Sequence, residues 1–144
     1  MKKIIISGAL ALVAAVSFAQ DAGPSDQLYK ALGSKPGLVK IMDDFVPRLV
    51  ADPRTGPFFK PADQKHVKEQ LVEQICQVTG GPCDYQGKDM KTAHMDMRIS
   101  KSDFNALVEV LQVTMDAQGI AFSTQNQLLA RLAPMHRAVI TTDK

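Results

Sequence analysis

Three histidines and two cysteines are the residues of this 144-residue chain best suited to holding a metal or a cofactor. His94 ends the stretch Gly80 to His94, which opens with Gly80-Gly81-Pro82, runs as a polar loop through Tyr85 and Gly87, and closes with Met90 and His94 four residues apart. Two glycines and a proline break a helix, and a spacing of four returns side chains to the same helical face. Met97 follows His94 by three, so a short helix would present thioether, imidazole and thioether on one side. Imidazole is the commonest metal ligand among side chains. The competing reading is a partly buried histidine satisfied by a backbone carbonyl. Zinc fits poorly, because it needs three or four ligands and nothing at helical spacing from His94 adds a second histidine or a cysteine pair.

Cys76 and Cys83 lie seven apart, a spacing open to a disulfide or to two free thiols. Neither belongs to a Cys-x-x-Cys-His sequence, which excludes the usual c-type haem linkage. His66 stands near the start of one helical stretch and His136 follows Ala133-Pro134-Met135 in another.

The elements that must position these residues are helical throughout. Asp26 to Leu32 reads as a short helix stopped by Gly33, and Pro36 suits the first turn of a longer one with Leu38, Ile41, Met42, Phe45 and Leu49 on its core face. Pro47 should interrupt and bend that helix, its ring clashing with the Asp43 carbonyl. Asp52 to Pro61, with three prolines and a glycine around Phe58-Phe59, reads as a tight corner that drives an aromatic inward. A second long helix runs from about Asp63 to Val78 with the stripe Val67, Leu71, Ile75 and Val78. Ser100 to Asp103 forms a capping box for a third, which carries Phe104, Leu107, Val108, Leu111 and Met115 and ends at Gly119. A fourth, capped between Thr124 and Gln127, carries Leu128, Leu132, Met135 and Val139. With no alternating strand pattern or hairpin signal, the expected fold is all-α, with four main helices and one short one. The long polar connection before Met90 is the unusual element, and loops of that length in compact domains tend to be functional.

Residues 1–19 read as an export signal: Lys2-Lys3, an apolar run from Ile4 to Val16, and Ser17-Phe18-Ala19 before the expected cleavage. The run is too short for a membrane span. Export to a bacterial periplasm is therefore expected, followed by a flexible spacer over 20–27 and one domain over 28–141. Removing the first 19 of 144 residues leaves 125, enough for a single core. It also removes two lysines from a chain of net charge +2, so no basic cluster remains to track nucleic acid. Tryptophan is absent, which weighs against an aromatic binding platform.

The order of features resembles the group 1 truncated haemoglobins across about residues 26–140. The pieces that carry it are Leu28-Tyr29-Lys30-Ala31-Leu32-Gly33, Asp43-Asp44-Phe45, Ala51-Asp52-Pro53, Phe58-Phe59, Gly80-Gly81-Pro82, Tyr85-x-Gly87, Met90-Lys91-x-Ala93-His94 and Ile99-Ser100-x-x-x-Phe104. The resemblance implies a two-over-two helical sandwich around a non-covalent haem b, with His94 as the proximal ligand of iron. It implies that Phe59 packs on the haem face with Phe45 behind it, that Met90 flanks the proximal side, and that Val67 and Leu71 line the pocket. Tyr85 and Lys91 would meet the propionate edge, although a solvated lysine is as good a reading of Lys91. Imidazole gains basicity if its other nitrogen donates to the Met90 carbonyl.

One position departs from the family. Many members carry a tyrosine directly after Phe45 whose hydroxyl donates to the bound ligand, and this chain has Val46. A substitute donor must come from the second long helix. At about 100° per residue, with Leu71 at zero, Val67, Ile75 and Val78 fall within about 40°, Gln74 near −60°, Gln70 near −100° and His66 near −140°. Gln74 is the better donor and Gln70 the second, while His66 reaches a sixth coordination position only if the helix shifts. His136 could bond a haem vinyl, as in some relatives, but reads more simply as a surface histidine. The expected function is binding of oxygen or nitric oxide. The alternatives are an enzyme performing nitric oxide dioxygenation or nitrite or peroxide reduction, which would need a separate reductant, and a haem-binding module without gas chemistry.

Overall fold

Leu38, Ile41, Met42, Phe45 and Leu49 recur at steps of three and four, and they form the centre of the core. The computed structural model describes residues 25–143, so the expected export signal and the first part of the spacer lie outside the described residues. The elements are α1 (Gln27–Ala31), α2 (Ser34–Ala51), α3 (Gly56–Phe59), α4 (Gln64–Val78), α5 (Met90–His94), α6 (Lys101–Ala117), α7 (Phe122–Leu132), a 3-10 turn (Ala133–Met135) and α8 (His136–Val139). No strand occurs among the described residues. None of the described helices is long and apolar enough to cross a membrane.

α2 packs on α4 to one side and α6 to the other, and α7 closes the second layer against α6 and α1. Val72, Ile75 and Cys76 of α4, Val110, Leu111 and Met115 of α6, and Leu128 of α7 meet the α2 stripe with almost no exposure. Burying each large side chain contributes about 1.5–3 kcal/mol, and this burial holds the layers together.

Pro47 lies inside α2, which runs unbroken to Ala51. The expected interruption does not occur, because Phe45, Val46 and Leu49 on either side of the proline are all buried. Their packing outweighs one lost backbone bond. The corner after α2 is fixed from within: the buried Thr55 hydroxyl donates to the Leu49 carbonyl at 2.7 Å. Outside it, Arg54 bridges Asp52 and Glu109 at 2.8 and 2.6 Å and lowers the Asp52 pKa to about 2.

The capping box of α6 is present, with Ser100 and Asp103 exchanging side-chain-to-backbone bonds. The fourth helix differs from expectation. It starts at Phe122 after Ala121, while Thr124 and Gln125 are buried instead of capping it. The Gln125 amide donates to the Asp116 carboxylate at 2.7 Å and the Ile120 carbonyl at 2.9 Å. At Pro134 the chain tightens into the 3-10 turn, so the expected single stripe from Leu128 to Val139 is split between α7 and α8.

α4 has two working faces where one stripe was expected. Val72, Ile75 and Cys76 enter the core, whereas Val67, Leu71, Gln74 and Val78 stay half-buried on the adjoining side.

Candidate functional site

α5 is five residues long and buries none of them. It forms because Asp89 caps it, accepting from the Thr92 amide at 2.9 Å and the Thr92 hydroxyl at 2.6 Å. Those bonds hold the Asp89 carboxyl below its ordinary pKa. The helix stops at His94, Met95 becomes the C-cap, and Asp96 and Arg98 take left-handed φ values of 67° and 53°. Met97 therefore lies beyond the helix whose face it was expected to share with Met90 and His94. Two left-handed non-glycine residues in three positions mark a strained turn.

His94 is half-buried, and its Nδ1 lies 2.8 Å from the Met90 carbonyl oxygen. A carbonyl only accepts, so Nδ1 holds a proton, and in the neutral ring the lone pair is then on Nε2. A backbone carbonyl on one ring nitrogen is how imidazoles are oriented when the other nitrogen binds a metal, and His136 makes the same kind of bond to Ala133. The intervening turn places Met90 and His94 on one face.

Gln74 of α4 reaches that face. Its amide donates to the Met90 sulfur at 3.2 Å and to the Met135 sulfur at 3.6 Å. Gln74 thus joins the half-buried face of α4 to the paired α5 and α8. Thioethers are weak acceptors, so the amide is under-satisfied where it stands. Val67 and Leu71 share its half-buried side of α4, and Phe59 packs half-buried against the edge of the core. Phe45 and Val46 are buried deeper, at 3 % and 1 % exposure.

Residues 27–141 match the sequence profile of the family described as bacterial-like globin. The chain belongs to that family. A group 1 truncated hemoglobin from Tetrahymena pyriformis is 30 % identical over 100 residues, which cover 69 % of this chain and 83 % of the relative. One from Nostoc commune is 25 % identical over 113 residues, 78 % of this chain and 96 % of that protein. The Fe(III) crystal structure of the Tetrahymena pyriformis protein superposes with a TM-score of 0.76 at 26 % identity, covering 80 % of this chain and 98 % of that one. A 2/2 hemoglobin from Synechococcus, solved with covalently attached heme, shares the fold with a TM-score of 0.74 at 21 % identity, covering 78 % of this chain and 97 % of that one. The two-over-two sandwich is therefore the fold of this globin.

The remaining candidate residues of this globin fall into two groups. Gln70 lies against the loop: its side-chain oxygen stands where a Cβ on Gly87 would lie, beside the Tyr85 phenol, so a side chain there would displace both. Tyr85 donates its hydroxyl to the Lys88 carbonyl at 2.8 Å and its amide to Gln77 at 3.1 Å. Burial, with the nearby Asp89 charge, raises the Tyr85 pKa. Lys91 and His66 are exposed, and the His66 amide is capped by Asp63 at 3.1 Å. His136 is exposed too, with Nδ1 2.8 Å from the Ala133 carbonyl and its ring centroid 6.3 Å from that of Phe104. Spacing alone puts Met135 in a core stripe, whereas its sulfur accepts from Gln74; the signal for that is Pro134, which turns the chain one residue earlier.

Cys76 and Cys83 form a disulfide. It ties the end of α4 to the loop that leads to α5.

Proposed function

We propose that this protein binds haem b through His94 and takes up a diatomic ligand, oxygen or nitric oxide, on the opposite side. The observation that carries the reading is the 2.8 Å bond from His94 Nδ1 to the Met90 carbonyl, which in the neutral ring leaves Nε2 to ligate, while the Met90 side chain one turn earlier meets Gln74. The residues fit such a group. They supply one imidazole in the right tautomer, half-buried apolar side chains at Val67, Leu71 and Phe59, and an amide whose present acceptors are weak. Haem iron, when bound, supplies reversible affinity for small gases, and the axial ligand and pocket polarity set how tightly they are held.

The residues of the chain divide that work. His94 donates its lone pair, and the Met90 carbonyl raises its basicity and fixes the ring. Phe45 and Phe59 exclude water from the apolar edge. Val46 carries no hydroxyl, so the donor's part falls to Gln74, whose amide must exchange the Met90 sulfur for the ligand. Tyr85 and Lys91 lie on the segment that would meet the propionates. We also propose that the protein is exported and works in the bacterial periplasm, in keeping with the reading of residues 1–19 and with a compartment that favours disulfides.

The test is reconstitution with haemin. The wild type should give an intense Soret band and a five-coordinate ferrous spectrum, which His94→Gly should lose and added imidazole restore. A normal ferrous spectrum in His94→Gly would overturn the proximal assignment.

A further inference from the structure

We propose that the Cys76–Cys83 disulfide is a redox-controlled latch on the proximal arm, so that haem is held tightly only while the bridge is closed. This rests on the haem reading above.

Apart from the weak Gln74 contact to the Met90 sulfur, little side-chain packing holds α5. None of its residues is buried, and the element it packs on is α8, itself a four-residue helix. On its C-terminal side the chain passes through the strained Asp96 and Arg98 positions before Ile99 is pinned to Thr141, the Ile99 amide donating to the Thr141 hydroxyl at 2.8 Å. On its N-terminal side the loop from α4 makes mostly local bonds: Tyr85 to Lys88, Gln86 to Asp84, Thr92 to Asp89. Three hydrogen bonds tie it back to α4, Gly80 to the Gln77 carbonyl at 3.1 Å, Gly81 to the Cys76 carbonyl at 2.8 Å and Tyr85 to the exposed Gln77 side chain at 3.1 Å, and the Gln74 amide reaches the Met90 sulfur of α5 at 3.2 Å. The bridge is the one covalent tie.

The bridge joins unequal partners. Cys76 is fully buried within the core cluster, whereas Cys83 is half-buried at its edge. The bridge therefore transmits the rigidity of the core to the start of the loop, and its outer sulfur is the one a thiol can attack. Attack by a dithiol reductant breaks the S–S bond through a mixed disulfide. Two electrons and two protons pass to Cys76 and Cys83, and the reductant leaves as its own disulfide. The freed loop regains the conformations that a seven-residue cross-link denies it. The core contacts of Cys76 remain, so the four main helices stay folded while the arm carrying His94 loosens.

The experiment uses the holoprotein loaded with haemin. Haem transfer to excess apomyoglobin is timed for the oxidised wild type, for the wild type reduced with a dithiol and counted for free thiols, and for Cys83→Ser. Helix content is followed by far-UV circular dichroism, and hydrogen exchange over residues 84–98 is compared in the apo forms. The expected result is haem loss at least tenfold faster in the reduced and Cys83→Ser forms, with helix content kept and faster exchange confined to that segment. Equal haem-loss rates with both thiols free would overturn the latch, as would haem loss that tracks global unfolding. An oxidised wild type that takes up no haemin would instead overturn the haem reading, and the latch with it.

Discussion

At the scale of single residues, the proposed site rests on one hydrogen bond and on one apolar side chain where a hydroxyl donor could stand. The Met90 carbonyl holds the His94 ring at 2.8 Å, while Val46, 1 % exposed, is a buried hydrocarbon on α2. An unmet polar partner costs about 1–3 kcal/mol, and about 1.4 kcal/mol is a factor of ten. Val46→Tyr should therefore slow oxygen release by roughly 10–100-fold in stopped-flow measurements. Val46→Phe supplies the bulk without the hydroxyl and should not reproduce the slowing. An unchanged off-rate in Val46→Tyr would sink the distal argument. These residues differed in how legible they were. The bond from His94 to Met90 follows from a spacing of four, so it could be anticipated. The fate of Gln70 could not, because its partner Gly87 lies across a loop whose path no helical periodicity records.

At the scale of elements, α5 depends on its cap. Asp89 is held below its ordinary value of 3.8 by its bonds to Thr92. A carboxyl with a lowered folded pKa stabilises fully above the unfolded value, and that contribution is lost as pH falls through the folded value. Haem loss from the oxidised protein should thus be flat above about pH 5 and accelerate below about pH 4. Asp89→Asn should flatten the part of the acid response that belongs to the cap, and a haem-loss profile identical to wild type would refute the role. The capping box at Ser100, the limits of α4 and the stop at Gly119 were all legible, because each is decided by residues within one turn. Pro47 and the fourth helix were not. Whether a proline breaks a helix depends on what Phe45, Val46 and Leu49 meet across the core. Whether Thr124 and Gln125 cap or sink depends on Asp116 and Ile120, which belong to the end of α6 and the turn after it.

At the scale of the whole molecule, the fold puts its rigidity and its chemistry in different places. α2, α4, α6 and α7 bury the core, while the residues proposed to hold a ligand sit on half-buried faces and on a short helix at the margin. An all-α globin architecture was legible from periodicity together with the ordered motifs. The second face of α4 was not, because a helix packed on one side and open to a cleft on the other shows two overlapping stripes. The packing around Gly81 has an optical consequence. A Cβ there would lie 2.7 Å from both the Cys76 sulfur and the Tyr29 ring, so the ring and the bridge are close neighbours. With no tryptophan and two tyrosines, the ultraviolet emission of the chain comes from Tyr29 and Tyr85. Disulfides quench tyrosine emission on contact, so Tyr29 should be dark in the oxidised apo chain and brighten when the bridge is reduced. Tyr29→Phe should abolish that rise. The molecule carries its own fluorescent indicator of thiol state, readable without a label.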